Sequence, residues 1–290
     1  MTAGPAGPTD RTAGPGSVPT PAAASSEPVS GAPAADAPLA VATPLHEFDP
    51  SPVAVIDPTR FRGRVAVPER AVLCWFGNVV AARTAGLAPV FHVDFEHGPH
   101  PMFVVEHAGE EVLLFNPGVG APIAADCLEV AIALGATKLI GCGGAGILVP
   151  DFDVGHVIVP TGAVRDEGTS YHYAPAGAAV APHPDAVAAI DDELTAAGVP
   201  HERGLTWTTD APFRETVAKV RLRRQQGCLT VEMEAAAMFA VAAFRGAVYG
   251  QLLYAGDDVS AEEWDHRDWN RHGGAREQLL DLALGAALRL

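Results

Sequence analysis

The sequence predicts an α/β fold, one domain with a mixed, mostly parallel sheet flanked by helices. Three observations carry that reading. From Ala71 onward, short apolar and β-branched runs alternate with longer helical patterns, the order in which parallel strands and their covering helices follow one another. The helices stop at glycine, and the first two open at proline. After residue 44 no stretch has the composition of a linker, so the remaining ~245 residues read as a single domain.

The expected strands are AVLCWF (71–76), EVLLFN (111–116), TKLIGC (137–142), VGHVIVPT (154–161), RGLTWTT (203–209) and AVYGQLLYA (247–255). The first helix begins at Pro122, after the Gly118-Val119-Gly120 turn. It puts Ile123, Cys127, Val130, Ala131 and Leu134 on one stripe before Gly135 closes it. The second runs from about Pro184 to Ala197 and stops at Gly198. The third, VEMEAAAMFAVAAF (231–244), is apolar enough to be mostly buried, yet it carries Glu232 and Glu234 in its first turn. Buried carboxylates are costly unless something partners them, which makes this segment the first pointer to function.

Residues 1–44 are almost wholly Ala, Pro, Gly, Ser and Thr, with no aromatic residue and no apolar periodicity. Such a segment cannot bury enough surface to offset its ordering entropy, and it has neither a secretory h-region nor an amphipathic transit pattern; it reads as a disordered tail. With 35 acidic and 19 basic side chains the chain carries a formal charge of −16. Its lysines are Lys138 and Lys219 alone, so a phosphate-neutralising face for nucleic acid is not expected. No apolar run reaches the ~18 residues of a membrane span. Cys74, Cys127, Cys142 and Cys228 are widely spaced without a C-x-x-C pair, which suggests neither zinc nor disulfides and a reduced, cytoplasmic setting. The histidines, His92, His97 and His100 among them, lack metal-ligand spacing.

Several segments have chemistry to offer. Residues 141–146, GCGGAG, match G-x-G-x-x-G after a strand, and Asp166 stands about 20 residues on, where a ribose-binding acid would fall. A dinucleotide fingerprint must open a helix, however, and Leu148-Val149-Pro150-Asp151 follows here. The run instead suits a strand end that lets a ligand approach the backbone. Arg165-Asp166-Glu167-Gly168-Thr169-Ser170-Tyr171-His172-Tyr173 gathers charge, hydroxyls and aromatics beside a strand. It reads equally as a ligand loop or as a surface loop closed by an ion pair. At a helix start the helix dipole would explain one of Glu232 and Glu234, but residues two positions apart point to different faces, so the second favours a polar ligand. Asp257-Asp258, at the end of the last strand, are either turn formers or a proton donor.

In chain order these segments resemble the nucleoside phosphorylase family, which includes uridine phosphorylases, hexameric purine nucleoside phosphorylases and methylthioadenosine nucleosidases. The resemblance covers roughly residues 65–260. It rests on Gly118-Val119-Gly120-Ala121-Pro122 leading to Leu134-Gly135-Ala136, the glycine run 141–146, Val154–Val159 and Arg165–Ser170. Thr208–Thr216 and, most specifically, Val231-Glu232-Met233-Glu234-Ala235-Ala236-Ala237 complete it.

The resemblance implies that Glu234 holds the ribose hydroxyls, that Met233 packs against the sugar, and that Glu232 reaches the sugar or braces the loop. Cys142, Gly143 and Gly144 would lie beside sugar, phosphate and base, with Phe213 and Arg214 bordering the base; Arg165 and Tyr173 are further candidates. Asp257 is the implied acid toward the base, with Asp258 as its fallback. It also implies nucleoside and phosphate as substrates, a homo-oligomer with a shared site, and inorganic phosphate as co-substrate without metal or organic cofactor. Nucleic acid and membrane are not expected partners.

Two departures bear on the nucleophile. The family's Gly-Asp-Pro-x-Arg turn is replaced by Gly77-Asn78-Val79-Val80, and Leu139 stands where many members have arginine. Arg165, Arg214, or a neighbour's Arg60, Arg62 and Arg64 would have to substitute. Phosphorolysis to free base and pentose 1-phosphate is the expected reaction, with hydrolysis and non-catalytic nucleoside binding as alternatives.

Overall fold

The structure, a computed structural model, describes residues 43–150 and 152–290. The expected tail lies outside the described residues except for its last two, and Pro44–His46 form a single 3-10 turn. Strand β1 (Arg70–Cys74) leads into helix α1 (Gly77–Arg83), followed by β2 (Phe91–Phe95), β3 (Gly98–His107) and β4 (Glu110–Phe115). Then come α2 (Ala121–Leu134), β5 (Lys138–Ile147), β6 (Val157–Asp166), β7 (Ala179–Val180), α3 (Pro184–Ala196) and β8 (His201–Thr209). The chain ends with α4 (Val217–Gln225), β9 (Cys228–Glu232), α5 (Ala235–Arg245), β10 (Val248–Asp258) and α6 (Gly273–Leu288).

All ten strands join one mixed sheet, and the predicted fold class is what the chain adopts. Alternation along the central strands explains their near-continuous apolar sequence. In β1, Ala71 and Leu73 face one core cluster with Leu128 of α2 and Phe239 of α5, while Val72 and Cys74 face another with Ile190 of α3 and Leu280 of α6. A strand covered by helices on both sides has no polar face to show. Helix α2 begins with Pro122 in its first turn and ends at Gly135, whose φ of +126° only glycine adopts freely.

One feature of the topology creates the site. β5 pairs in parallel with β1 over Lys138–Cys142 on one edge, then takes β9 as its antiparallel partner at Gly146 and Ile147. Its other edge runs alongside β10 from Lys138 to Ala145. Because β10 pairs with β6, β6 with β8 and β8 with β9, five strands close into a ring, and β5 belongs to both ring and open sheet. Between its two partners, Gly143, Gly144 and Ala145 have a bare edge. A crevice where neighbouring strands diverge is the usual place for a ligand in an α/β sheet.

The structure also corrects several boundaries. Residues 231 and 232 end strand β9, and the helix starts only at Ala235. β-Branched Thr230 and Val231 register with Thr206 and Trp207 of β8, so strand pairing overrides the helical pattern there. The glycine run is strand to Ile147, held by β10, and opens no helix. β6 extends to Asp166, so Arg165 and Asp166 lie on the sheet, paired with Thr208 and Thr209. β2 and β3, α1, α4 and α6 were not among the expected elements. The β2–β3 hairpin, FHVDFEHGPHPM, hides its alternation behind histidines and prolines.

Candidate active site

A cleft of about 650 Å³ opens at the bare edge of β5. Gly143 and Gly144 form its floor, where a Cβ would stand 3.4 Å from the Cβ of Trp75 and 3.1 Å from the Tyr254 ring respectively. A Cβ at position 144 would press on the Tyr254 ring, so glycine there leaves the backbone open to the cleft.

One wall is the corner between β9 and α5. Glu232 is buried, and both its oxygens are engaged: Oε1 accepts from the Thr208 hydroxyl at 2.6 Å, and Oε2 accepts from the backbone N–H groups of Glu234 and Ala235 at 2.7 and 2.6 Å. It therefore braces the turn. Met233 and Glu234 line the cleft, and Glu234 Oε1 accepts the Gly120 N–H at 2.5 Å, tying the corner to the turn before α2. Burial, and then the neighbouring Glu232 charge, push the Glu234 carboxyl up to about 8. Burial also raises Glu232, against the opposing pull of its three donors.

A second group of acids stands at the end of β10 and in the turn after β8. Asp257 lines the cleft, and its Oδ2 accepts the Trp264 indole N–H at 2.7 Å. Glu215 also lines it and is raised to about 7 by burial and by the Asp257 charge. A carboxyl group raised to about 7 keeps a proton available near neutrality. Asp258 turns away: its Oδ1 caps the Ser260 N–H at 2.7 Å, and its backbone bridges Asp265. Phe213, 99% exposed, stands at the mouth.

The other proposed contacts lie elsewhere. Arg165 is buried in a closed network, with Nε donating to Ser170 at 2.8 Å and the terminal nitrogens to the carbonyls of Pro175 and Ala174 at 2.6 and 3.1 Å. Glu167 receives the Ser170 N–H and hydroxyl, which completes the network. Tyr173 packs edge-on against Phe244, away from the cleft, with its hydroxyl pKa raised by burial. Cys142 is fully buried beneath the glycine floor beside Cys74, and its thiol pKa is raised by that burial. Arg214 does not line the cleft. Arg60 and Arg64, expected to serve a neighbouring subunit's cleft, lie over the Phe61 ring of their own chain at 4.9 and 5.3 Å. Asp166 is occupied by Lys219, Arg223 and the Trp207 indole.

The loop after β1 and the segment leading into α6 add lining residues that sequence reading missed: Trp75, Phe76, Trp269, Asn270 and Arg276. Arg276 is the one basic side chain among the described residues lining the cleft. A signal for it exists in the sequence. Arg276, Leu279, Leu280, Ala283, Leu284 and Ala287 fall at helical spacing on one stripe, so a charged residue occupies an apolar face. The described residues contain no cluster of three or more metal-ligating side chains, and no helix long and apolar enough to cross a membrane.

The family profile described as the phosphorylase superfamily matches residues 69–288, and the chain belongs to that family. A guanosine phosphorylase from Halorubrum lacusprofundi is 30% identical over 167 residues, 54% of this chain and 68% of that protein. Uridine phosphorylases from Treponema pallidum and Haemophilus influenzae align over 49% and 50% of this chain, and this chain spans 59% and 63% of their lengths. Among solved structures, a uridine phosphorylase from Vibrio fischeri superposes with a TM-score of 0.64 at 21% identity, covering 77% of this chain and 91% of that one. The resemblance read from the sequence is the family to which the chain belongs.

Proposed function

We propose that this protein cleaves the N-glycosidic bond of a nucleoside with phosphate, releasing free base and pentose 1-phosphate. The observation that supports this best is the meeting, in one cleft, of Glu234 and Met233 with Asp257 and Glu215 across the glycine floor of β5. In this reading the sugar lies against Met233 with its hydroxyls on Glu234. As the C1′–N bond stretches, positive charge grows on the ribose ring, and Glu234 in its ionised form stabilises that charge through the sugar hydroxyls it holds. The electron pair of the broken bond goes to the base, which takes a proton from the Glu215–Asp257 pair. A phosphate oxygen forms the new bond to C1′.

One observation favours the hydrolytic alternative: the loop after β1 presents Trp75 and Phe76 to the cleft, and neither Arg165 nor Arg214 does. Water would then attack C1′ with the same sugar and base contacts. Product mass spectrometry across common nucleosides, with and without phosphate, separates the two. Pentose 1-phosphate that appears only with phosphate, at a saturating rate, is the expected result, and Asp257→Asn should slow cleavage by about 10²-fold or more for bases that leave protonated. Free pentose at an unchanged rate in both buffers would replace phosphorolysis by hydrolysis, and no release from any nucleoside would overturn both.

A further inference from the structure

Arg276 is 7% exposed and makes no ion pair with any described acid, although the described residues lining the cleft include four carboxyl groups. Its guanidinium lies over the rings of Phe76, Trp269 and Tyr254, with centroids at 5.0, 5.1 and 5.9 Å. One terminal nitrogen donates to the Trp269 carbonyl at 3.2 Å, and the buried Nε–H has no hydrogen-bond partner. That carbonyl also receives the Tyr254 hydroxyl, which fixes the cage around the cation. Trp75, which also lines the cleft, has an indole N–H that is likewise buried and unpartnered. Aromatic faces hold a cation in place without neutralising it. A buried guanidinium without an anion keeps a large desolvation cost, and native structures rarely leave buried donors unpaired. Arg276 also lies in the first turn of α6, a 16-residue helix that starts without a side-chain cap and whose dipole favours negative charge there.

We propose that Arg276 holds a phosphoryl dianion in this cleft, taking the place of the arginines missing from the loop after β1 and from position 139. The inference rests on the nucleoside-cleaving reading for its place in a reaction, but the anion site stands on its own geometry. A planar guanidinium with free donors suits bidentate contact with phosphate oxygens, and the stacked aromatics orient its plane. The dianion could be the attacking inorganic phosphate or the ester of a nucleoside 5′-monophosphate, since both present the same oxygens.

Isothermal titration of the full chain with inorganic phosphate, a nucleoside and its 5′-monophosphate separates these sources. Arg276→Met should weaken phosphate at least tenfold while the nucleoside dissociation constant changes less than twofold, and Arg276→Lys should recover only part of the loss. Should the methionine variant fail to fold, the ¹⁵Nε–¹H resonance of Arg276 in the parent chain should shift and saturate on phosphate titration. Inorganic phosphate that binds without the monophosphate gaining over the nucleoside identifies the nucleophile. A monophosphate that binds tenfold tighter than the nucleoside, through Arg276, identifies the ester. Equal phosphate affinity in parent and Arg276→Met, or an Arg276 resonance indifferent to both anions, overturns the anion site and leaves nucleoside cleavage standing. Phosphate binding through Arg276 in a chain that cleaves no nucleoside would support the anion site and sink the cleavage reading instead.

Discussion

The two walls of the cleft are built on opposite principles. At the β9–α5 corner every acceptor of Glu232 has a donor, and Glu234 is tied back to Gly120. Elsewhere in the cleft lining the Nε of Arg276 and the indole nitrogen of Trp75 are buried donors without acceptors. A satisfied wall is pre-organised and needs a ligand only for what its remaining carboxyl surface can offer. An unsatisfied wall holds donors whose burial is costly until a ligand supplies the acceptor. The contrast separates the wall on which we propose the sugar rests from the wall on which we propose the phosphoryl group rests.

The sharpest way to break that contrast is Glu234→Gln. The amide keeps the shape and can accept from Gly120, and it mimics the protonated carboxyl present near neutrality, so folding should barely register the change. It cannot carry the negative charge that the ionised carboxyl sets against the cationic ribose. Turnover should fall more than 100-fold, equivalent to about 3 kcal/mol of transition-state stabilisation, with Tm nearly unchanged at pH 7. Steady-state kinetics beside a thermal melt decides it, and a variant as active as the parent would remove Glu234 from the sugar wall.

The two walls also differ in how far the sequence reveals them. The glutamate corner was legible because its chemistry is local: Glu232, Met233 and Glu234 adjoin one another, and an acid pair beside AAAMFAVAAF conflicts with its surroundings. What that pattern hid was the backbone, since strand pairing of Thr230 and Val231 with β8 is a contact across sequence that no helical period contains. The arginine wall was illegible for the same reason on a larger scale. Phe76 and Arg276 are 200 positions apart and meet only because α6 returns to the face where β1 ends. Arg165 misled in the opposite way. A cation among hydroxyls and carbonyls looks like an anion site, but Ser170, Ala174 and Pro175 fill its donors from within its own loop.

A smaller effect tests the acid pair. The ordinary Glu215 value of 4.5 is raised to about 7 in the folded chain, chiefly by burial and then by Asp257. For a group raised on folding, stability is fully present below the unfolded value. It is lost as pH climbs to the folded one, because the unfolded chain ionises first. The parent should therefore lose stability between about pH 4.5 and 7 on this account, and Glu215→Gln, neutral in both states, should remove that part of the decline. After discounting for the partial exposure of Glu215, the variant should gain about 2–4 °C in Tm relative to the parent on going from acid to neutral pH, the shift that about 1 kcal/mol makes in a domain of this size. Glu234, raised in the same direction, continues the parent's decline to about 8. Parallel Tm–pH curves for parent and Glu215→Gln would show that Glu215 titrates like an exposed acid and is no proton source.

The smallest effect is expected from removing residues 1–42, and it asks whether both walls belong wholly to the folded domain. Every described residue lining the cleft falls between Trp75 and Arg276. The segment that the cut leaves in place has anchors of its own: Phe48 packs edge-on against Phe244 at 6.5 Å, and the Pro52 carbonyl accepts from Arg245 at 2.8 Å. Arg245 in turn forms a two-pronged pair with Glu129 at 2.7 and 2.8 Å, so this anchor reaches both α2 and α5. The removed residues, with 1–44 almost all Ala, Pro, Gly, Ser and Thr, have little apolar surface to add to any core. The shortened chain should match the full one in Tm, in turnover and in phosphate affinity within experimental error. A cut at residue 57 should by contrast lower Tm, because it takes Phe48 and Pro52 away from Phe244 and Arg245. Loss of turnover or of phosphate affinity on removing only 1–42, with Tm intact, would mean that the N-terminal segment completes one of the walls, and the affected ligand would say which.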